Sequence, residues 1–379
     1  MKGPRGLSSG EPDTHVPSAD TSTSKGSSSS ARGVGERSSG TPARRRQRPL
    51  APTTKNTKGK GVKKNPLGGG SLIGWHYVLD ARLCLWRFYL KNVIGLRPTF
   101  YARALLFGQA FHAGKAHFYT EGSKGKTRSN AALVKGSVEN AESLLHDVRD
   151  LYEKDDEYAQ DIARVGPLLE AWARTFGLSD LVGWKVLDVE REFKVPLSSS
   201  GVFMTIRPDT LLEREGEVRV METKTSGFSV QSAIWGVQTG GQRHAYTMGT
   251  KLAYPKAKRV VMIPDVAFWR KGNLEPRNII CERGTPLSST PSELTVFAEE
   301  VEATIRDVSE RTATLFARGG SKPHTLFPRV REPGICTAYN RPCEYWEACA
   351  MNPTPGDRVF GYSWDSEKVK TYKKEITRR

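Results

Sequence analysis

Three strand-like runs between Trp184 and Thr225 restrict the folding of this chain more than any other feature. Trp184 to Val195 alternates in part, at Val186, Val189 and Phe193, and runs into the turn Ser198-Ser-Ser-Gly201. Val202 to Leu212 reads as a second strand, Glu213-Arg-Glu-Gly216 as a hairpin turn, and Glu217 to Thr225 as a third strand. Helical periodicity surrounds them: Ala81 to Leu90, Thr99 to about Tyr119, Ser137 to Phe176, about Gln231 to Thr250, and Ser292 to Phe316. A further strand is expected near Arg259–Phe268. Helices, a run of strands, a helix and another strand predict an α/β domain with a compact mixed sheet.

The chain has 379 residues, enough for one large domain or two small ones. Its apolar content, 37%, is low and unevenly spread. Residues 1–70 hold almost no large apolar side chains and are dominated by Ser, Gly, Thr, Pro, Lys and Arg. Such a stretch cannot bury enough surface to offset its ordering entropy, so a disordered arm is expected there, closed by Gly68-Gly-Gly70. The arm carries 14 basic and four acidic side chains, +10 of the net +17, leaving +7 on the remainder. Part of that remainder is Lys368–Arg379, within a stretch expected to form a basic tail over 356–379. A basic arm on a basic body suits a polyanionic partner, most simply nucleic acid. A solubility or targeting segment is the competing reading of Arg44-Arg-Arg46. No apolar run approaches about 18 residues, and the N-terminus lacks an h-region. Neither a membrane span nor a signal peptide is therefore expected, and the location expected is cytoplasmic, in the host cytoplasm were the chain phage-encoded. Five cysteines without an export signal argue against a disulfide framework.

Glu222 and Lys224 are two apart on one strand and share a face. Asp209 precedes Glu222 by 13 positions across the Gly216 turn, which brings it level with them. Two carboxylates and a lysine on a sheet headed for burial are unfavourable unless paired or metal-bound. Hard carboxylate oxygens suit Mg²⁺ or Mn²⁺, ions that keep waters and accept phosphate oxygens. Such an ion stabilises developing charge and lowers the pKa of a water, which a neighbouring lysine can orient. Taken alone, the pattern also fits many solvated hairpins. On the next helix Gln242 and Tyr246 are four apart on one face, placed to orient Lys224, to touch a phosphate backbone, or to form an ordinary amphipathic edge. His112 offers an imidazole nitrogen to a metal, although a lone helical histidine is more often a partly buried side chain.

These pieces occur together and in order: Gly108-x-x-x-His112, Asp209, Glu222-Thr-Lys224 and Gln242-x-x-x-Tyr246. In this the chain resembles the RecB-like branch of the PD-(D/E)XK nuclease superfamily, which includes AddB-type helicase-nucleases and CRISPR-associated exonucleases, from about Ser71 to Cys349. The resemblance implies a restriction-endonuclease-like core over residues 71–355, a mixed central sheet flanked by helices, with helical additions. It implies a Mg²⁺- or Mn²⁺-dependent deoxyribonuclease, an exonuclease of DNA recombination, repair or phage DNA processing. Its partner would be single- or double-stranded DNA, and a recombination protein is compatible with the same reading. His112, Asp209, Glu222 and the Thr223 carbonyl would be metal ligands, Lys224 the catalytic lysine, and Gln242 and Tyr246 its support. Relatives usually carry a small apolar run and a glycine before the aspartate; here Arg207-Pro208 precede Asp209, which keeps Asp188 and Glu192 as alternative acids. No Gly-x-x-x-x-Gly-Lys-Ser/Thr loop is present, so no ATP use is expected. The alternative from another class is a non-cleaving nucleic-acid-binding or scaffold protein that retains the fold; the complete Asp209/Glu222/Lys224 set argues against it.

Some members of that branch hold an iron–sulfur cluster with one cysteine before the nuclease core and three after it. Cys84 and the trio Cys336, Cys343 and Cys349 follow that layout, with a final x5 interval like the family's and a first interval, x6, longer than its usual two. Four thiolates can hold a [4Fe–4S] cluster, and joining Cys84 to the trio closes a loop of roughly 250 residues. A zinc site of four cysteines and free, buried thiols are the competing readings. Cys281 lies outside the pattern and is expected to be structural. Trp86, Phe88 and Tyr89 are placed to stack on bases, yet their helical spacing fits core packing better.

Overall fold

Successive residues of the central strands are apolar on both sides, so the sheet they form is covered on both faces. The computed structural model describes residues 73–377, apart from 126–128, 198–200, 227–228, 271–274 and 339–340. The expected disordered arm, its glycine linker and most of the Ser198–Gly201 turn lie outside the described residues. Five strands make the sheet: β1 (Lys185–Val189), β2 (Thr210–Arg214), β3 (Glu217–Ser226), β4 (Arg259–Trp269) and β5 (Ile279–Arg283), in that spatial order. All neighbours are antiparallel except β3 and β4, which are parallel. The parallel pair requires a crossover, supplied by two helices, α5 (Val230–Thr239) and α6 (Gln242–Ala253).

Leu212, Met221, Val261 and Ile263 face a helical layer built from α2 (Arg103–Gly122), α3 (Asn130–Asp147) and α4 (Asp155–Trp172). Leu211, Val218, Val220, Val260 and Met262 face the other way, toward Val237 of α5 and Tyr246 of α6. A third apolar cluster joins α1 (Trp75–Leu83) to α7 (Pro291–Ala317) and α8 (Ser366–Thr377). Helix α7 starts at the capping box of Thr290 and Glu293 with Pro291 just inside it, which is why its sequence-derived limits are close to the observed ones.

Where the observed elements depart from the sequence expectation, a particular residue accounts for most breaks. The run Val202 to Leu212 is two strands, because Pro208 brings no backbone N–H to a ladder. Phe203–Ile206 pairs instead with Phe193–Pro196 in a separate hairpin, and β2 resumes at Thr210. The helix expected over Gln231–Thr250 divides at Gly240-Gly241. A Cβ on Gly241 would lie 2.2 Å from the Trp75 ring, so α1 can cross this corner only where the side chain is missing. The helix expected over Ala81–Leu90 is interrupted at Cys84, which is extended (φ −159, ψ 110); a short helix Leu85–Phe88 and a π-helical turn Tyr89–Val93 follow. Trp86, Phe88 and Tyr89 are all within 2% of full burial, as core side chains. The region Ser137–Phe176, expected to be helical, is so in two pieces, α3, which starts earlier at Asn130, and α4, and the edge strand β5 adds to the expected set. The β2–β3 turn is a two-residue loop with Glu215 and Gly216 both at positive φ (56 and 88), the geometry that a tight hairpin favours.

The stretch 356–379, expected as a basic tail, is packed against the body over its described part. Tyr362–Trp364 pairs with Leu96–Pro98, and the buried Tyr372 of α8 shares a hydrogen bond of 2.8 Å with Tyr77 of α1. No described helix is long and apolar enough to cross a membrane.

Candidate active site

The ends of β2 and β3 meet α2 where Gly108 permits close approach: a Cβ there would stand 3.3 Å from Thr225 Oγ1. One turn further along α2, His112 Nδ1 lies 3.2 Å from Asp209 Oδ1 and 3.8 Å from Glu190 Oε1. Pro208 has taken Asp209 out of the ladder, but extending the Thr210↔Met221 register by one residue sets it opposite Glu222. Asp209 Oδ2 accepts the Thr223 N–H at 2.7 Å. On the same strand Lys224 Nζ donates to Glu222 Oε1 at 2.5 Å. Glu222 is 1% exposed, and its second oxygen, Oε2, is buried with no hydrogen-bond partner.

Each charge in this corner is set by its neighbours. Burial alone would raise Asp209, but the His112 charge and hydrogen bond, Lys224 and the Thr223 amide outweigh it and hold the carboxyl at about 2. Burial alone would lower His112; Asp209 beside it, with help from Glu190, lifts the imidazole to about 10. Glu222 is pushed above its ordinary range by burial, with Asp209 adding to the push and Lys224 offsetting part of it. Lys224 would be lowered by burial, but Glu222 more than compensates and the ammonium is retained.

The linkage sign follows from these directions. A raised His112 contributes stability that is fully present below its ordinary 6.5 and is lost as pH rises through about 10. Asp209, lowered from 3.8 to about 2, contributes stability present above 3.8 and lost as pH falls through 2. Thermal melting of the chelator-treated protein should therefore fall between pH 7 and 10, and His112→Gln should flatten that slope. A slope unchanged by the substitution refutes the assigned pairing.

Among the described residues, one group of three His, Cys, Asp or Glu side chains has its ligand atoms within 4.8 Å of one another: His112, Glu190 and Asp209. Two of these, His112 and Asp209, are expected from the sequence. Glu190 is not; its chain neighbours Asp188 and Glu192 are the expected alternatives, and neither of those joins the group. Asp188 accepts the Tyr254 hydroxyl and pairs with Arg191 at 3.3 Å, and Glu192 is exposed. Glu190 enters through an irregularity in the chain: β1 has a register shift between Val186 and Asp188, and Glu190 itself is left-handed at φ 51. Its N–H donates to the Asp209 carbonyl at 3.1 Å, and its carboxylate also meets Arg207 Nε at 3.3 Å. Strand alternation gives no signal for such a residue. Glu222 stands beside this group rather than in it.

Gln242, the first residue of α6, hydrogen-bonds the Tyr246 hydroxyl, and that hydroxyl donates to the Arg207 carbonyl at 3.1 Å. Burial raises Tyr246 well above its ordinary range, and the neighbouring Glu222 and Asp209 add to it. Tyr246 thus grips the loop that carries Asp209, whereas the sequence expectation has the pair supporting Lys224.

Cys84, Cys336, Cys343 and Cys349 line one cavity of about 480 Å³ beside Arg87 and Arg329. The interruption of α1 at Cys84 makes this possible, since its extended backbone leaves the thiol accepting from Arg87 N–H at 3.5 Å. Cys343 N–H donates to the Cys336 carbonyl at 2.7 Å, and the Tyr345 N–H donates to Cys343 Sγ at 3.5 Å. Burial pushes the Cys343 and Cys349 thiols up. No three of these described thiols lie within 4.8 Å of one another, whereas Zn–S bonds of about 2.3 Å set sulfurs roughly 3.8 Å apart in a tetrahedral zinc site. Cys281 lies on β5 among the residues packed under the opposite face of the sheet.

A sequence model of the PD-(D/E)XK nuclease superfamily matches residues 80–350, which is 271 of the chain's 379 residues. The chain belongs to that superfamily, and its mixed five-stranded sheet between helical layers is a restriction-endonuclease-like fold. Among solved structures, that of a presumed exonuclease from Eubacterium rectale is similar with a TM-score of 0.44 and 12% identity, covering 82% of this chain and 97% of the other. No curated protein shows a match.

Proposed function

We propose that the protein is a Mg²⁺- or Mn²⁺-dependent deoxyribonuclease whose site is formed by His112, Asp209, Glu222, Thr223 and Lys224, with Glu190 as an additional acid. One observation carries the reading: an imidazole and two carboxylates converge within 4.8 Å at the strand ends, beside a Glu222–Lys224 pair whose carboxylate is buried. The donor set, carboxylate oxygens with one imidazole, suits these hard ions, and the unpartnered Glu222 Oε2 is a buried oxygen that such an ion would satisfy. His112, Asp209 and Glu190, which converge, would hold it together with the adjoining Glu222 and the Thr223 carbonyl. When bound, a divalent ion supplies positive charge against the scissile phosphate and makes a nearby water easier to deprotonate.

The chain's own groups do the remaining work. Lys224, kept charged by Glu222, presents its ammonium to the phosphate as negative charge grows on it. The Thr223 amide holds Asp209 in one orientation, and the Tyr246 hydroxyl, beside Gln242, holds the Arg207 carbonyl two residues before it. The nuclease family implies a nucleic-acid substrate; the choice of DNA, the exonucleolytic mode and a role in recombination, repair or phage DNA processing rest on the order of the four RecB-like elements. In this reading residues 1–70 are a basic arm that adds phosphate contacts to a catalytic domain starting at 71.

We also propose that Cys84, Cys336, Cys343 and Cys349 hold a [4Fe–4S] cluster, a staple rather than a redox centre. The one cavity that all four thiols line supports it.

Incubation of the full chain with end-labelled linear DNA and covalently closed circular DNA tests the activity. Mn²⁺ should support degradation of the linear substrate while circles persist, and chelation should stop it. Cutting of circles at the same rate overturns the exonuclease assignment, and cleavage insensitive to chelator overturns the metal requirement.

A further inference from the structure

Beneath the site, on the far side of β3, lies a buried group of charges that the reaction does not use. Lys115 is 3% exposed and sits three residues after His112 on α2. Its Nζ donates at 2.6 Å to Thr223 Oγ1 and at 2.6 Å to Asp265 Oδ2. Asp265 is the register partner of Thr223 across the parallel β3–β4 pair and also accepts the Trp172 indole N–H at 3.0 Å. Lys115 Nζ lies 4.4 Å from the Trp172 ring centroid. The second Asp265 oxygen is 3.5 Å from Arg283 Nε, and Arg283 pairs at 2.5 Å with Asp180, which accepts the Tyr119 hydroxyl at 2.6 Å. Two cations and two carboxylates balance one another.

A buried ion pair adds little stability over apolar packing of the same volume, so its directional bonds are the better guide to what it does. Those bonds converge on Thr223. Its neighbours are Glu222 and Lys224, its N–H fixes Asp209, and its side chain alternates to the α2 face. The same helix that delivers the ammonium delivers His112, and residues three apart share a helix face.

We propose that Lys115, anchored by Asp265, is a positioning residue: by gripping Thr223 Oγ1 from behind the sheet, it fixes the Thr223 peptide and the spacing between α2 and β3 on which a divalent ion depends. The inference rests on the metal reading of the site. Partners of this kind, one bond removed from the ligands, typically change metal affinity about 10–100-fold when removed.

The test is Mn²⁺ binding to the full chain by calorimetry, with thermal melting recorded in parallel. Thr223→Val keeps the shape and removes the hydroxyl; Mn²⁺ affinity should fall about 10–100-fold, and Thr223→Ser should restore most of it. Lys115→Met should reproduce the loss. A lowered melting temperature with wild-type Mn²⁺ affinity in Thr223→Val overturns the proposal, as does the failure of both Thr223→Val and Lys115→Met to fold, which makes the pair purely structural. Absence of Mn²⁺ binding by the unaltered protein overturns the metal reading instead, so the two failures are told apart.

Discussion

Replacing Lys224 with alanine is expected to slow DNA cleavage by about 10²–10³-fold, the usual loss when a charge-stabilising donor is removed from a transition state. DNA affinity should hardly change, since one ammonium among the chain's 58 Lys and Arg side chains contributes little to phosphate attraction. The effect has a second component. Lys224 is the hydrogen-bond partner of Glu222 Oε1, and the other oxygen of that buried carboxylate already has none. Without the ammonium, burial pushes Glu222 further toward its neutral form, a poorer metal ligand. Raising Mn²⁺ should therefore recover part of the lost rate in Lys224→Ala. Lys224→Arg retains the charge in a different geometry and should fall between the two. Single-turnover cleavage of labelled DNA, alongside binding measured in chelator, checks each point. Cleavage by Lys224→Ala at the wild-type rate removes this lysine from the site.

The second large effect is expected from Cys84→Ser. Anaerobically purified wild type should be brown, absorbing near about 400 nm as cysteine-ligated iron–sulfur proteins do, and the variant should lose that colour together with its iron. Cys84 and the C-terminal trio bracket roughly 250 residues, so severing the link frees a very long loop in the unfolded chain. By the cross-link argument the loss is on the order of 5 kcal/mol, visible as a melting temperature lower by several degrees. Colourless wild-type protein containing zinc refutes the cluster.

Much of the architecture is legible because each signal is local. A near-continuous apolar run marks β4, the Thr-Pro-x-Glu start marks α7, and the Glu213–Gly216 punctuation marks the hairpin on which Asp209 faces Glu222. Breaks are harder to see. Pro208 stands out as a departure from the family pattern, but its effect, ending one strand and freeing Asp209 from the ladder, depends on which strand each half pairs with. Gly240-Gly241 divides a helix for the sake of Trp75, a contact more than 160 residues away in sequence. Glu190 escapes a sequence reading for the same reason: no periodicity forecasts a left-handed residue after a bulge. Lys115 shows the limit most clearly. In sequence it is one more basic residue on an amphipathic helix, and only the pairing of Thr223 with Asp265 gives it a task.

The Tyr77–Tyr372 hydrogen bond and the pairing of Leu96–Pro98 with Tyr362–Trp364 bear on the order of assembly during synthesis. Translation proceeds at about 5–20 residues per second, so α1 waits many seconds for the partners that seal it. Until residues near 372 have cleared the ribosome, Phe88 and its aromatic neighbours lack their cover, and a nascent chain halted at 355 would expose an apolar surface for chaperones to bind.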